Sequence, residues 1–324
     1  MSTVIFRLKI ILCSINLIIM KYFKMVILLF LAALVLYGCD SPAPTELVPV
    51  SQNQNLVQVQ VIAKDTANVY YDNGFDTTGL AQQPLEYSNF ITVTGTKVTE
   101  DGITRASGYA RVLLFDTSNP IKGPGGKILG YMTRKLNFKG MKLMFDDIPA
   151  VEIPYKLKYK YHGTIMDTVL GQQYILVDNG NASGKFKYKY NSHINFHMVL
   201  NNKNVNFKIP TPSEITENIE LTGHLANKNL NAIVQWNGQG SSSLILIIGA
   251  ITKKGNAIYP LYQLQLQDNG SLTVPSELLN EIPQNTYSKF VFTLVRKIET
   301  QESGGDTNLY VLSQSIHSII LDIP

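Results

Sequence analysis

The chain predicts an all-β protein, with two β-sandwich-like domains after a leader and a flexible tether. Three observations carry this. Apolar and polar residues alternate with period two in segment after segment, as in Val57-Gln58-Val59-Gln60-Val61 and Tyr262-Gln263-Leu264-Gln265-Leu266-Gln267, the pattern of a strand with one face buried and one wet. Tyr, Thr, Val and Ile fill these segments, while Asn, Gly and Pro punctuate them every few residues, which is β-favouring usage separated by turn chemistry. No amphipathic stretch runs beyond one or two helical turns, so no helix competes for the core.

The leader comes first. Lys21 and Lys24 precede an apolar run from Met25 to Tyr37 that stops at Gly38-Cys39, the layout of a secretory signal. The run is shorter than the ~18 apolar residues of a spanning helix. Its end, Leu36-Tyr37-Gly38-Cys39, resembles the lipobox of bacterial lipoproteins. The resemblance implies cleavage between Gly38 and Cys39, and a diacylglycerol and an acyl chain held covalently on Cys39, with no other cofactor. It also implies a membrane partner through that anchor, and a place in the cell envelope of a bacterium, the outer membrane favoured. Asp40 resembles the inner-membrane retention residue of enteric bacteria, so the leaflet stays open. Upstream, Met1 to Ile19 holds a second apolar run with Arg7 and Lys9. It is either an over-extension of a frame that starts at Met20 or a hairpin-like anchor.

Charge and cysteine usage bound the rest. Lys and Arg number 28 against 24 Asp and Glu, but Arg7, Lys9, Lys21 and Lys24 precede Cys39 and no acid does, so the part after the leader is balanced at 28 − 4 = 24. A balanced body argues against a nucleic-acid partner. The two cysteines, Cys13 and Cys39, belong to the leader and the lipid site. That leaves the body no disulfide, cysteine nucleophile or Cys-type zinc site.

Residues 1–38 are therefore read as signal peptide and 39–55, rich in Pro, Ser, Gln and Asn, as tether. The N-terminal β domain spans 56–209. Its strands are expected at Val57–Val61, Phe90–Val98 and Tyr109–Phe115, with Asp101-Gly102 as a hairpin turn, then at Lys156–Tyr161, Gln173–Val177, Lys185–Tyr190 and Ile194–Leu200. Lys122-Gly123-Pro124-Gly125-Gly126-Lys127 lacks the closing Lys-Ser/Thr of a phosphate loop and reads as a turn. Ile209-Pro210-Thr211-Pro212 carries two prolines that stiffen the chain, as a linker does.

The C-terminal domain spans 213–324. Strands are expected at Ile219–Leu221, Asn231–Trp236, Ser243–Ile251, Tyr262–Gln267 and Leu272–Pro275, and the uniformly apolar third is expected to be central. Ser276–Asn280 reads as one helical turn capped by Ser276. Phe290–Lys297 and Leu309–Leu321 close the chain around a polar loop, Thr300–Asn308. Trp236, the apolar strand after it, the turn Asp268–Ser271, Val274-Pro275 and Leu278-Leu279 together resemble an immunoglobulin-like module at the C-terminus of exported bacterial lipoproteins. That resemblance implies a sandwich and no activity.

Candidate sites are few. His193 and His197 share a strand face but sit about 13–14 Å apart, too far for one metal ion, and His162, His224 and His317 have no sequence-local partner. Asp72–Asp76 and Asp178–Asn181 offer oxygen ligands without the spacing of a calcium loop and read as hairpin chemistry. No metal site and no catalytic residue is expected, since there is no Gly-x-Ser-x-Gly elbow. The most suggestive surface is lysine-rich: Lys156, Lys158 and Lys160 on one predicted strand, Lys185, Lys187 and Lys189 on another, each set facing away from Tyr, Phe and Leu. Like charges directly opposed would weaken a ladder, so the two segments are expected to be separated. Trp236 lies on the face of Ala232 and Val234 and is expected in the core. The function expected is a non-catalytic, lipid-anchored envelope protein with a binding or structural surface for a glycan or an envelope protein. A polysaccharide-binding lipoprotein is the alternative, and a hydrolase with dispersed acids the weaker one.

Overall fold

The computed structural model of the chain describes residues 58–61, 69–71, 89–122, 126, 128–136, 143–161, 164–177, 186–200, 203–240, 243–254, 258–304 and 307–324. Cys39 and its surroundings, the tether, Lys185, His162 and both loops weighed for calcium lie outside them. Before the proline pair come β1 (Gln58–Val61), β2 (Val69–Tyr71), β3 (Asn89–Glu100), β4 (Ile103–Lys122), β5 (Ile128–Thr133) and β6 (Met144–Phe145). They are followed by β7 (Ile148–Pro149), β8 (Val151–Tyr161), β9 (Thr164–Val177), β10 (His193–Leu200) and β11 (Lys203–Pro210). After it come β12 (Glu217–Thr222), β13 (Asn231–Trp236), β14 (Ser243–Thr252), β15 (Ile258–Gln267) and β16 (Ser271–Val274). Helix α1 (Ser276–Asn280), β17 (Tyr287–Gly304) and β18 (Thr307–Asp322) complete the chain. The protein is all-β and sandwich-like, as its alternation predicts. No described helix is long and apolar enough to cross a membrane.

One 11-stranded sheet, in the order β1-β15-β14-β17-β18-β3-β4-β9-β8-β2 with β5 against β4, draws strands from both sides of the proline pair. Two small sheets, β11-β10-β6-β7 and β12-β13-β16, pack on it. Ile91, Val93, Ala110 and Val112 of the large sheet meet Phe145, Ile194, Phe196, Met198 and Ile209 in the first core. Leu246, Ile248, Leu264, Phe290 and Phe292 meet Ala232, Val234, Trp236 and Val274 in the second. Burial of this kind, at ~25 cal/mol per Å² of apolar area, is the main favourable term holding each sandwich closed.

The cores divide at the prolines, with Ile209 in the first and Ile215 in the second. The segment itself is packed rather than spacing two bodies apart. Pro210 pairs with His193, Thr211 is buried, its N–H donates to Ser192 O, and its hydroxyl donates to Lys189 O. What joins the sandwiches is a parallel ladder between β3 and β18, from Phe90↔Tyr310 to Glu100↔Ile320. A parallel pair needs no hairpin, and so leaves no local signature in the sequence.

Several elements match their expectation closely. Asp101 and Gly102 have φ of 52° and 75°, the primed turn that suits the twist of the β3–β4 hairpin. β14 lies between β15 and β17, and both its faces are buried, Leu244, Leu246 and Ile248 in the second core and Ile245 and Ile247 against Val295 and Ile316. Others differ. The polar segment Thr300–Asn308 is no loop: β17 runs on to Gly304 and β18 starts at Thr307, so its polar residues are the outer end of a long hairpin. Pro275, not Ser276, holds the position before α1, and no side chain caps the helix, because the proline places Ser276 already inside the first turn. Lys203–Pro210, where the sequence claims no strand, pairs along its length with β10.

The described residues of the predicted strand Lys185–Tyr190 join no ladder. Gly95 and Gly108 are direct partners on β3 and β4, and Tyr188 lies over the slot they leave. A Cβ at Gly95 would sit 2.3 Å from Tyr188 Cδ1. The segment therefore uses its alternation to press Phe186 and Tyr188 onto the sheet, with Lys187 and Lys189 exposed.

Candidate functional site

The site is a polar seam between the two cores, on the inner face of the large sheet. Its floor comes from the β3–β18 ladder. Lys97 is paired with His317 in register and Gly95 with Ser315, while Thr99 lies two places on from Lys97. Facing it are Tyr188, Tyr190 and the crossing segment, with Glu214 and Glu217. Tyr188 Oη shares a hydrogen bond of 3.0 Å with Ser313 Oγ and its ring meets Tyr190 edge-on, centroids 4.9 Å apart. Lys97 Nζ pairs with Glu214 Oε1 at 2.5 Å. Burial and the nearby Glu214 push the Tyr190 phenol up to about 12.

Within the seam Thr99, His317 and Glu217 fall in line. Thr99 Oγ1 lies 2.9 Å from His317 Nε2, and His317 Nδ1 lies 3.7 Å from Glu217 Oε1. Among the described residues neither carboxyl oxygen of Glu217 has a hydrogen-bond partner, and the Ile215 backbone lies near enough to His317 to act on the imidazole. Burial pushes the Glu217 carboxyl well above the usual carboxylate range. Burial and the Lys97 charge lower the His317 imidazole to about 4. Burial disfavours the charged form of both groups, the carboxylate of Glu217 and the imidazolium of His317.

The order hydroxyl, imidazole, carboxyl is that of a hydrolytic triad. Among the described residues its surroundings differ from those of such a triad. β3 is paired on both sides, Thr99 to Ile319 and to Thr104, so neighbouring amides are committed to ladders rather than turned toward an oxyanion. The Thr99 hydroxyl is also shared with Thr104 Oγ1 at 2.8 Å, and Glu217 does not bond the imidazole it would orient.

A second buried network sits at the far end of the second core. Arg296 Nε and Nη2 donate to Asp268 Oδ2 and Oδ1 at 2.6 and 3.0 Å, and Trp236 Nε1 donates to Asp268 Oδ1 at 2.7 Å. Nη1 donates to Ser213 Oγ at 2.8 Å and Nη2 to Asn237 O at 2.9 Å. Burial raises the Asp268 carboxyl, but hydrogen bonds from Arg296 and Trp236 outweigh it and hold it below its ordinary value. Trp236, 7 % exposed, is a core residue. No known family matches the chain. That holds for protein-family models, curated proteins and solved structures alike.

The residues marked in the sequence scatter. Lys158 is the ladder partner of Asp167 on β9 and Tyr70 on β2, and Lys156 of Val169, so the two lysine segments are separated as expected. The side chains of 157–161 are outside the described ones. Lys189 Nζ pairs with Asp146 Oδ2 at 2.7 Å, and Lys187 is exposed. His193 is exposed and His197 Nδ1 bonds Asn206 Oδ1. Among the described residues no three His, Cys, Asp or Glu converge as metal ligands. Glu217 and Lys97 went unmarked, and His317 lacked a partner. One signal was present: in Glu217-Asn218-Ile219-Glu220-Leu221 the acid holds the inward phase of the alternation.

Proposed function

We propose that the chain is a non-catalytic, lipid-anchored protein of a bacterial cell envelope, outer membrane favoured, whose joined sandwiches present a binding or structural surface to a glycan or an envelope protein. The anchor half rests on Leu36-Tyr37-Gly38-Cys39. The non-catalytic half rests on the Thr99–His317–Glu217 alignment, whose hydroxyl lies in a strand paired on both sides. Supporting it, Asp268, Lys97 and Lys189 are each spent on an ion pair between elements.

The alternative, a polysaccharide-binding lipoprotein, cannot use Trp236 as a stacking platform and would need part-exposed tyrosines. The test has two arms. Cys39→Ser is expected to accumulate as an unprocessed precursor that takes up no palmitate analogue, and incorporation of label by that variant refutes the anchor. Thr99→Val and His317→Gln are expected to leave the chain as inert toward esterase and glycosidase substrates as wild type, and an activity that either abolishes refutes the non-catalytic reading.

A further inference from the structure

β12 is an edge of the three-stranded sheet β12-β13-β16. Trp236 N–H donates to Gly270 O, on the β16 side, so alternation along the ladder bonds Gln235 and Ile233 to Asn218 and Glu220 of β12. Ile219 and Leu221 therefore direct their N–H and C=O to the open side, where no described strand pairs with them. Their half-buried side chains point into the second core.

The open side faces β3. β12 runs over β18, with Glu217 Oε1 3.7 Å from His317 Nδ1 at its start and Leu225 N–H donating to Pro324 O at 3.2 Å beyond its end. β13 lies toward β17, whose Arg296 donates to Asn237 O at 2.9 Å. One strand spacing of ~4.8 Å past β12 thus stands over the inner face of the β3–β4 hairpin. That shelf carries Lys97 and Thr99 with their ladder partners Ala106 and Thr104. Thr104 and Ala106 are exposed, so the shelf is open to solvent. Glu214, paired with Lys97, bounds it at one end, and the Asp101-Gly102 turn leaves it open at the other.

We propose that β12 and this shelf take an extended peptide of a protein partner as a fourth strand, basic on its outward positions and small or β-branched on its inward ones. A free edge beside an open floor suits strand addition, in which main-chain hydrogen bonds give affinity and alternate side chains give specificity. Glu220 on β12 and Asp101 at the mouth of the shelf, both exposed, match lysine or arginine. Lys97, Thr99, Thr104 and Ala106 give a sugar no ring to stack on. A second copy fits less well, because its own β3–β4 hairpin extends past its β12 and enters the same space. The inference rests on the proposed binding surface, for which it names the chemistry of a protein partner, and it holds whether or not Cys39 carries lipid.

The test uses the full chain in phosphatidylcholine nanodiscs, with empty discs as blank. Four probes are titrated calorimetrically: acetyl-Lys-Val-Lys-Val-Lys-Val-amide, its analogue N-methylated at the valines, its analogue with Glu for Lys, and cellohexaose. The basic peptide is expected to bind roughly tenfold or more tighter than either analogue. Ala106→Trp, which fills the shelf from an exposed position, is expected to weaken it about tenfold at an unchanged melting temperature. Ile219→Pro, which removes an edge N–H, is expected to do the same, and should it fail to fold, Ala106→Trp carries the test. No binding of the basic peptide, or equal binding of the N-methylated one, overturns the proposal. Peptide binding that ignores Ala106→Trp overturns the shelf and leaves the proposed function standing with its surface elsewhere. Cellohexaose binding lost in Ala106→Trp overturns it in favour of a glycan, and a dimer that Ile219→Pro dissolves overturns it in favour of a second copy.

Discussion

Replacing Asp268 by Ala removes one side chain and strands two others. Asp268 is 0 % exposed and Arg296 4 %, so the guanidinium left behind cannot regain water without opening the sheet end. Breaking a buried pair by deleting one partner costs about 3–5 kcal/mol. The loss of the Trp236 Nε1 acceptor, 2.7 Å away, falls within that figure rather than adding to it, because the groups act as one network. Against a total stability of about 5–15 kcal/mol, the variant is expected to sit close to unfolding. Urea denaturation followed by Trp236 fluorescence and by far-UV circular dichroism measures this, the second signal guarding against a local change at the indole. Arg296→Met is expected to cost a similar amount, since it leaves a buried carboxylate. The double variant should cost less than the two together by about 1–3 kcal/mol. Single costs under about 1 kcal/mol, or costs that simply add, would refute the view of Asp268 as a buried clamp. Because the Asp268 carboxyl is held below its ordinary value, its share of stability is present above pH ~4 and lost as the pH falls through the folded value.

His317 bends the stability curve on the acid side. Its imidazole titrates near 6.5 when unfolded and at about 4 when folded, so stability is full above 6.5 and falls by at most about 3 kcal/mol as the pH drops to 4, a slope that His317→Gln should abolish in urea titrations at pH 7 and pH 4.5. Glu217 acts in the opposite sense. Its raised folded value means stability is full below about 4.5 and is lost as the pH rises through that value, so Glu217→Gln should raise the urea midpoint more at pH 8 than at pH 5, and an unchanged midpoint counts against burial of an unbonded acid. Gly95→Ala drives a methyl into the Tyr188 ring and is expected to cost about 1–3 kcal/mol, partly recovered by adding Tyr188→Leu. Trp236 should emit in the blue and resist acrylamide, and a red-shifted, quenchable emission would contradict its packing in the second core.

Elements whose information is local were legible before any fold was known. Period-two alternation marked β1, β13 and β15, a continuous apolar run marked β14 as doubly buried, and Asp101-Gly102 specified its own turn. Trp236 was legible as core because its strand face also carries Ala232 and Val234. The proposed anchor rests on the sequence alone, on Leu36 to Cys39. The rest was not legible, because each case rests on contacts between residues far apart in the chain. Tyr188 chose the glycine slot on β3 and β4 over a ladder of its own, although its segment alternates as a strand does. Glu217 and His317 became neighbours only when β12 settled beside β18. Asp268 reads as a turn residue until Arg296, from β17, reaches it. The two sandwiches share one sheet because β18 returns to lie parallel to β3, a pairing whose loop-closure entropy is recovered only once both cores are formed.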